Sequence, residues 1–280
     1  MYYNKDRARS GVRVAASISL TIVLLLSLVA ISSHGGAEAS TTTKKVLVAT
    51  ILPYVSLKTQ YNIYNPYTDS SSDRVQINIE DGLTSARLDL VNSLPPEQKG
   101  AASNSVKALI SFAPKAKALG FTYLSYGLEK GHSPDSDLAD PVASVKAAAA
   151  AAHSNGLLLN VATSKALTIQ WGPKLAKYAD MYHMQSQSLQ DEPSKYLDFV
   201  KTMAGKLRSA NPNLKQITVQ LSTQKDPAPG LTLQETFKKD WKNVRPYVDG
   251  VRIWFGNDST DDLENFVKWF DTYGRWYTTS

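Results

Sequence analysis

Short apolar runs recur along the second half of the chain, each ended by small or polar residues. Between them lie stretches with the period of an amphipathic helix. FTYLSYGL (121–128), LLLNVAT (157–163), MYHMQSQ (181–187), ITVQLS (217–222) and VRIWF (251–255) have the length and the β-branched or aromatic content of buried strands. They begin 36, 24, 36 and 34 residues apart. That is the spacing of βαβ units, because parallel neighbours need a crossover of a dozen or more residues. Residues 45–52 and 75–80 add two earlier strands. Seven strands are read in this way, and an eighth either lies near Ile169 or is missing.

The intervening helices carry their own punctuation. Residues 142–153 are alanine-rich and follow Asp140-Pro141, an N-cap with proline at the first helical position. Residues 193–210 follow Asp191-Glu192 and stop at Asn211-Pro212. Residues 233–244 and 262–273 complete the set, the last with Leu263, Phe266, Val267 and Phe270 on one face. Residues 103–119 form the helix that feeds the strand at 121. Residues 53–73 are rich in Tyr, Asn, Ser and Asp and lack helical period. They read as a loop, either a lid or binding segment carrying Tyr54, Tyr61, Tyr64 and Tyr67, or a plain excursion over a barrel end. The expected fold is a single (β/α) barrel, TIM-like, with seven or eight parallel strands over residues 46–280.

The start of the chain reads differently. Lys5, Arg7, Arg9 and Arg13 precede an uncharged apolar run from 14 to 31, and Ala37-Glu38-Ala39 offers the small-x-small pattern of a signal-peptidase site. Residues 1–39 are therefore expected to be a signal peptide cleaved after Ala39, or an uncleaved anchor, since the run is just long enough to span a bilayer. Either way residues 40–280 are expected outside the cytoplasm, secreted or membrane-anchored, with 40–45 as a polar linker.

Composition narrows the chemistry. With 42% hydrophobic and 20% charged residues the chain is an ordinary globular one, which excludes bulk disorder. There is no cysteine, so disulfides, thiolate zinc sites and thiol catalysis are excluded. The formal charge of +6 includes the excess of four basic over two acidic residues in the first 39. What remains is mild, and no dense Lys/Arg tract with interleaved aromatics supports nucleic-acid binding. Membrane contact is expected only through the N-terminal segment.

Sites in parallel α/β folds gather at the carboxyl ends of the strands. The residues standing there include Glu129, Gln185, Gln187, Ser222, Trp254, Asn257 and Asp258, with Tyr126 just before the end of its strand. Amides and an aromatic ring suit a polysaccharide or other glycan, whose hydroxyls need paired donors and acceptors and whose faces stack on rings. Glu129 ends an apolar strand, where a carboxyl group is partly desolvated, as a general acid requires. It could instead pair with Lys130 or cap a loop. A glycosidase needs a second carboxylate, and Asp191 and Asp258 are the candidates, though each also stands where it would cap a following helix. His132, Asp135, Asp137 and Asp140 match no calcium-loop spacing and read as a turn ending in an N-cap, so neither a metal nor a cofactor is expected. His153 ends a helix, and His183 lies in a strand as a core or rim residue.

The segment YLSYGLEKGHSPDSDLADPVASVKAAAAAAHSNGLLLNVATS, with ADMYHMQSQSLQDEP, ANPNLKQITVQLST and VDGVRIWF after it, resembles a group of uncharacterised exported prokaryotic proteins over roughly residues 120–256. These are similar in layout to glycoside-hydrolase-type TIM barrels. In the chitinase-like branch one strand ends in D-x-E, whose Glu is the acid. The resemblance thus implies a carbohydrate-active barrel with Glu129 as acid/base, and Gln185, Gln187 and Trp254 holding the sugar. Gly127 stands where that branch has the Asp, so substrate-assisted catalysis is not implied. The competing expectation is a non-catalytic barrel that binds glycan or another envelope component.

Overall fold

Eight parallel strands close on themselves in chain order: β2 (Val46–Ile51), β3 (Arg74–Asn78), β4 (Gln98–Ser103), β5 (Tyr123–Leu128), β6 (Leu158–Ser164), β7 (Met181–Gln185), β8 (Gln216–Ser222) and β9 (Gly250–Trp254). Closure is made by β2 against β9, with Val46 opposite Gly250 and Val48 opposite Arg252. The computed structural model describes residues 41–278. The targeting segment expected over residues 1–39 lies outside them. Among the described residues no helix is long and apolar enough to cross a membrane.

Helices cover the barrel wall: α1 (Leu57–Tyr64), α2 (Ser85–Ser93), α3 (Val106–Ala116), the short α4 (Asp135–Ala139), α5 (Pro141–Ser154), α6 (Lys165–Ala176), α7 (Pro193–Ala210), α8 (Leu233–Val244) and α9 (Thr260–Trp269). Their caps are local. Asp140 accepts from the Ala143 amide, and Thr232 with Glu235 forms a reciprocal capping box on α8. Phe237, Trp241, Phe266 and Phe270 are fully buried between α8 and α9 in edge-on and tilted ring contacts. Burying such a side chain contributes about 2–3 kcal/mol. The barrel is the TIM-type architecture expected from the periodicity, with all eight strands present.

Three expectations are corrected. The eighth strand is not near Ile169, which is exposed on α6; it is β4. Its sequence, QKGAAS, has no apolar alternation because its inward positions are reduced to make room. A Cβ on Gly100 would fall 2.1 Å from the ring of Tyr123, which crosses the barrel to donate its hydroxyl to the Val75 carbonyl at 3.2 Å. Secondly, residues 53–73 are not a structureless loop. They contain α1, whose Gln60, Ile63 and Tyr64 form a buried stripe at helical spacing among polar residues. Thirdly, Thr42–Lys44, within the stretch expected as a linker, is strand β1. It pairs antiparallel with β10 (Trp276–Thr278).

A buried clasp holds that small sheet to the barrel. Asp73, just before β3, accepts both guanidinium nitrogens of Arg275 at 2.7 and 2.9 Å, and also the amides of Leu47 and Asp69 at 2.8 Å. Arg275 donates further to the Tyr67 carbonyl at 2.9 Å. The clasp lies at the amino ends of the strands, opposite the end at which Glu129, Gln185 and Trp254 emerge.

Candidate functional site

Alternation along each strand decides what enters the barrel. Its interior is polar. In the lower layer Arg74 reaches Asn160 Oδ1 at 3.5 Å, Met181 Sδ at 3.2 Å and Thr218 Oγ1 at 3.4 Å, and its guanidinium lies 5.4 Å from the Tyr123 ring. Above it His183 donates from Nε2 to Gln220 Oε1 at 3.1 Å and accepts at Nδ1 from Thr218 at 2.9 Å. Burial, and then the charge of Arg252, hold its pKa well below the usual histidine value, so His183 is neutral. Arg252 occupies the same level from β9. Burial pushes its pKa down to about 10, which leaves it charged at neutral pH.

A cavity of about 420 Å³ opens above this layer at the carboxyl end of the barrel. Gln76, Ser125, Gln220 and Arg252 form its floor, and Glu80, Asp81, Glu129 and His132 stand on one side. Gln185, Gln187, Trp254 and Tyr54 stand on the other. Among the described residues, Thr50 Oγ1, Gln185 Oε1, Gln187 Oε1 and Arg252 Nε are buried without hydrogen-bond partners. Unpaired buried polar atoms are uncommon in folded proteins, and here four of them belong to residues of one cavity.

Glu129 follows β5 in phase with the inward Ser125 and Gly127. Its amide donates to Ser133 Oγ at 3.0 Å, and its carbonyl accepts from the amides of His132 and Ser133. This tight turn fixes the direction in which Glu129 leaves the strand. The alternative ion pair to Lys130 is not formed among the described residues.

Glu80, with Asp81 next to it, is a further carboxylate of the cavity wall. It follows β3 as Glu129 follows β5, with β4 between, so their backbones stand two strand spacings apart, about 10 Å. Glu80 accepts from Ser103 Oγ at 3.0 Å and from the Asn104 amide. The sequence pattern does place Glu80 at a strand end, which is the signal that identifies it. Asn104 carries no such signal because its strand has no apolar pattern. A Cβ on Gly127 would fall 1.9 Å from Asn104 Oδ1. The Asn104 amide thus fills the place that a side chain in the D-x-E position would take.

Five of the candidates read from the sequence do not reach the cavity. Tyr126 points outward into the helix layer, where its hydroxyl donates to Asp137 at 2.7 Å, because it is one residue out of phase with Ser125 and Gly127. Asp191 is exposed beyond the turn that follows β7, next to Glu192, which pairs with Lys195 at the start of α7. Asn257 and Asp258 are exposed in the turn after β9. Ser222 is buried and accepts from the Gln224 amide at 3.1 Å. Of the tyrosines of residues 53–73, only Tyr54 lines the cavity, with its hydroxyl donating to the Phe255 carbonyl at 3.2 Å. Tyr64 is buried against Phe255. Asp140 and Asp137 hold backbone amides of α5 and α3, and His153 bonds Asp180 at 2.8 Å on the surface.

No protein-family model matches the chain, and comparison with curated proteins finds no match. Solved structures do match in fold. The catalytic domain of a family GH18 chitinase from the fern Peteris ryukyuensis superposes with a TM-score of 0.57 at 13% identity, over 80% of this chain and 98% of that one. A glucosidase from Croceicoccus marinus gives 0.55 at 10% identity, over 81% of this chain and 63% of that one. A mutant tryptophan synthase α-subunit from Pyrococcus furiosus gives 0.52 at 11% identity, over 81% and 98%. The chain is thus similar in fold to glycoside-hydrolase barrels and to a barrel of different chemistry alike. Fold alone does not choose between them.

Proposed function

We propose that the protein is an extracytoplasmic glycoside hydrolase that uses Glu129 as general acid/base and Glu80 as the opposing carboxylate. One observation carries the reading: the carboxyl groups of Glu80, Asp81 and Glu129 line one side of a barrel-mouth cavity whose other side is lined by Trp254, Gln185 and Gln187. Glycoside cleavage needs two carboxyl groups roughly 5–10 Å apart, and two strand spacings allow that separation. Glu80 accepts two hydrogen bonds, which fix its carboxyl group in place for the stabilising or base role. The Glu129 side chain forms no hydrogen bond among the described residues and is free to donate to a leaving oxygen.

The purified full chain is tested on polysaccharides and aryl glycosides by release of reducing ends. Glu129→Gln is expected to lower turnover at least 100-fold while sugar binding persists, in line with the usual worth of a positioned acid. Glu80→Gln is expected to do the same. Undiminished turnover in Glu129→Gln would sink the assignment. Gly127, in place of a D-x-E aspartate, favours one alternative: a barrel that binds glycan without cleaving it. Sugar binding by wild type and Glu129→Gln alike, with no turnover in either, would establish that instead. The extracytoplasmic part of the proposal rests on residues 1–39. Recovery of the chain outside the cytoplasm, starting at Ser40 or still anchored, would support it.

A further inference from the structure

Two arginines lie inside the barrel, and they are treated differently. Arg74 touches Asn160, Met181 and Thr218 and lies against the Tyr123 ring, so its charge is embedded in protein. Arg252 lines the cavity and is 6% exposed. Among the described residues its guanidinium forms no hydrogen bond and no ion pair; the Trp254 ring lies 5.5 Å away, and the nearest acidic group to act on its charge is Glu129 of the same cavity, without direct contact. A buried unpaired cation is costly to a fold. It is tolerated where a ligand supplies the missing charge.

We infer that Arg252 receives the carboxylate of an acidic sugar, so that the hydrolase proposed above acts on hexuronate-containing glycan. The inference rests on that reading and names its substrate class. A guanidinium presents donors in a planar fork that matches a carboxylate. Gln76 and Gln220 stand on the same floor to take neighbouring hydroxyls. Trp254 lies beside the guanidinium and lines the cavity, where it can cover a sugar face. Glu80, Asp81 and Glu129 line the wall above the single unpaired guanidinium, so a phosphate dianion meets more repulsion there than one carboxylate does.

The experiment titrates the full chain with glucuronate, galacturonate, the uncharged amide of each, and inorganic phosphate. The acids are expected to bind at least ten-fold more tightly than their amides. Arg252→Gln should erase that preference, and Arg252→Lys should restore part of it. The wild-type comparison of acid with amide needs no variant, so a misfolded Arg252→Gln leaves the test intact. Equal affinity for acid and amide overturns the inference and leaves the hydrolase reading standing. Phosphate bound more tightly than either uronate also overturns it. Failure of every sugar, charged or neutral, overturns the inference, while the hydrolase reading stands or falls on turnover of polysaccharides and aryl glycosides.

Discussion

Any side chain added at position 127 must displace the Asn104 amide, because the new Cβ would sit 1.9 Å from its Oδ1. Gly127→Asp is therefore expected to destabilise the fold by about 1–3 kcal/mol, the usual cost of overpacking. Thermal melts check this, and adding Asn104→Gly should recover most of the loss; no recovery would mean that the strain lies elsewhere. Asp240, on α8, offers a second test. It is fully buried, neither oxygen has a hydrogen-bond partner among the described residues, and burial raises its pKa to about 7. An unfolded aspartate titrates near 3.9. Between about pH 4 and 7 the folded state thus keeps a proton that the unfolded state has released. Stability falls across that window by up to about 1.4 kcal/mol per pH unit and is level above it. The advantage of Asp240→Asn over wild type should grow from pH 4 to 7 and then stop growing. A pH-independent difference in melting temperature would contradict this origin.

At the scale of elements, the Asp73–Arg275 clasp joins the entry of β3 to the segment between α9 and β10. Asp73→Asn leaves the buried Arg275 with only the more exposed Asp271, 3.2 Å from its Nε, as counter-charge, and is expected to cost up to about 3–5 kcal/mol, read as a lower denaturant midpoint. Unchanged ligand affinity in the folded fraction would place that loss away from the cavity. The elements also show where the sequence is readable. VRIWF and ITVQLS announce themselves because apolar residues face helices on every second position. QKGAAS does not, because Gly100 yields its space to the Tyr123 ring, and such a fit depends on a residue distant in sequence. Glu129, Gln185, Gln187 and Trp254 are found by asking what ends each strand, and Glu80 answers the same question. Tyr126 is misread because the filter ignores phase, and one residue of phase is the difference between barrel lumen and helix layer. Arg252 is legible only in retrospect, as a charge between Val251 and Ile253 that alternation must send inward.

Across the whole molecule, the two ends of the barrel divide the work. The carboxyl end carries the cavity, and the amino end carries the buried clasp and the small sheet. Gln185→Ala and Gln187→Ala remove amides whose oxygens have no protein partner, so each should weaken glycan binding while shifting the melting temperature by only about 1–2 °C. Asp180→Ala, at the amino end, removes the oxygen that contacts both the Leu159 amide and His153. It should lower stability by about 1–2 kcal/mol with binding unchanged. Parallel melts and titrations separate the two groups, and a reversed pattern would refute the division. The pairing of β1 with β10 has a practical reach as well. It brings the first and last described residues together on the face away from the cavity. A resin, dye or fusion partner joined ahead of Thr41 or behind Thr278 would hold the barrel from behind. Immobilised in that orientation, every molecule on a surface would offer its mouth to the solution.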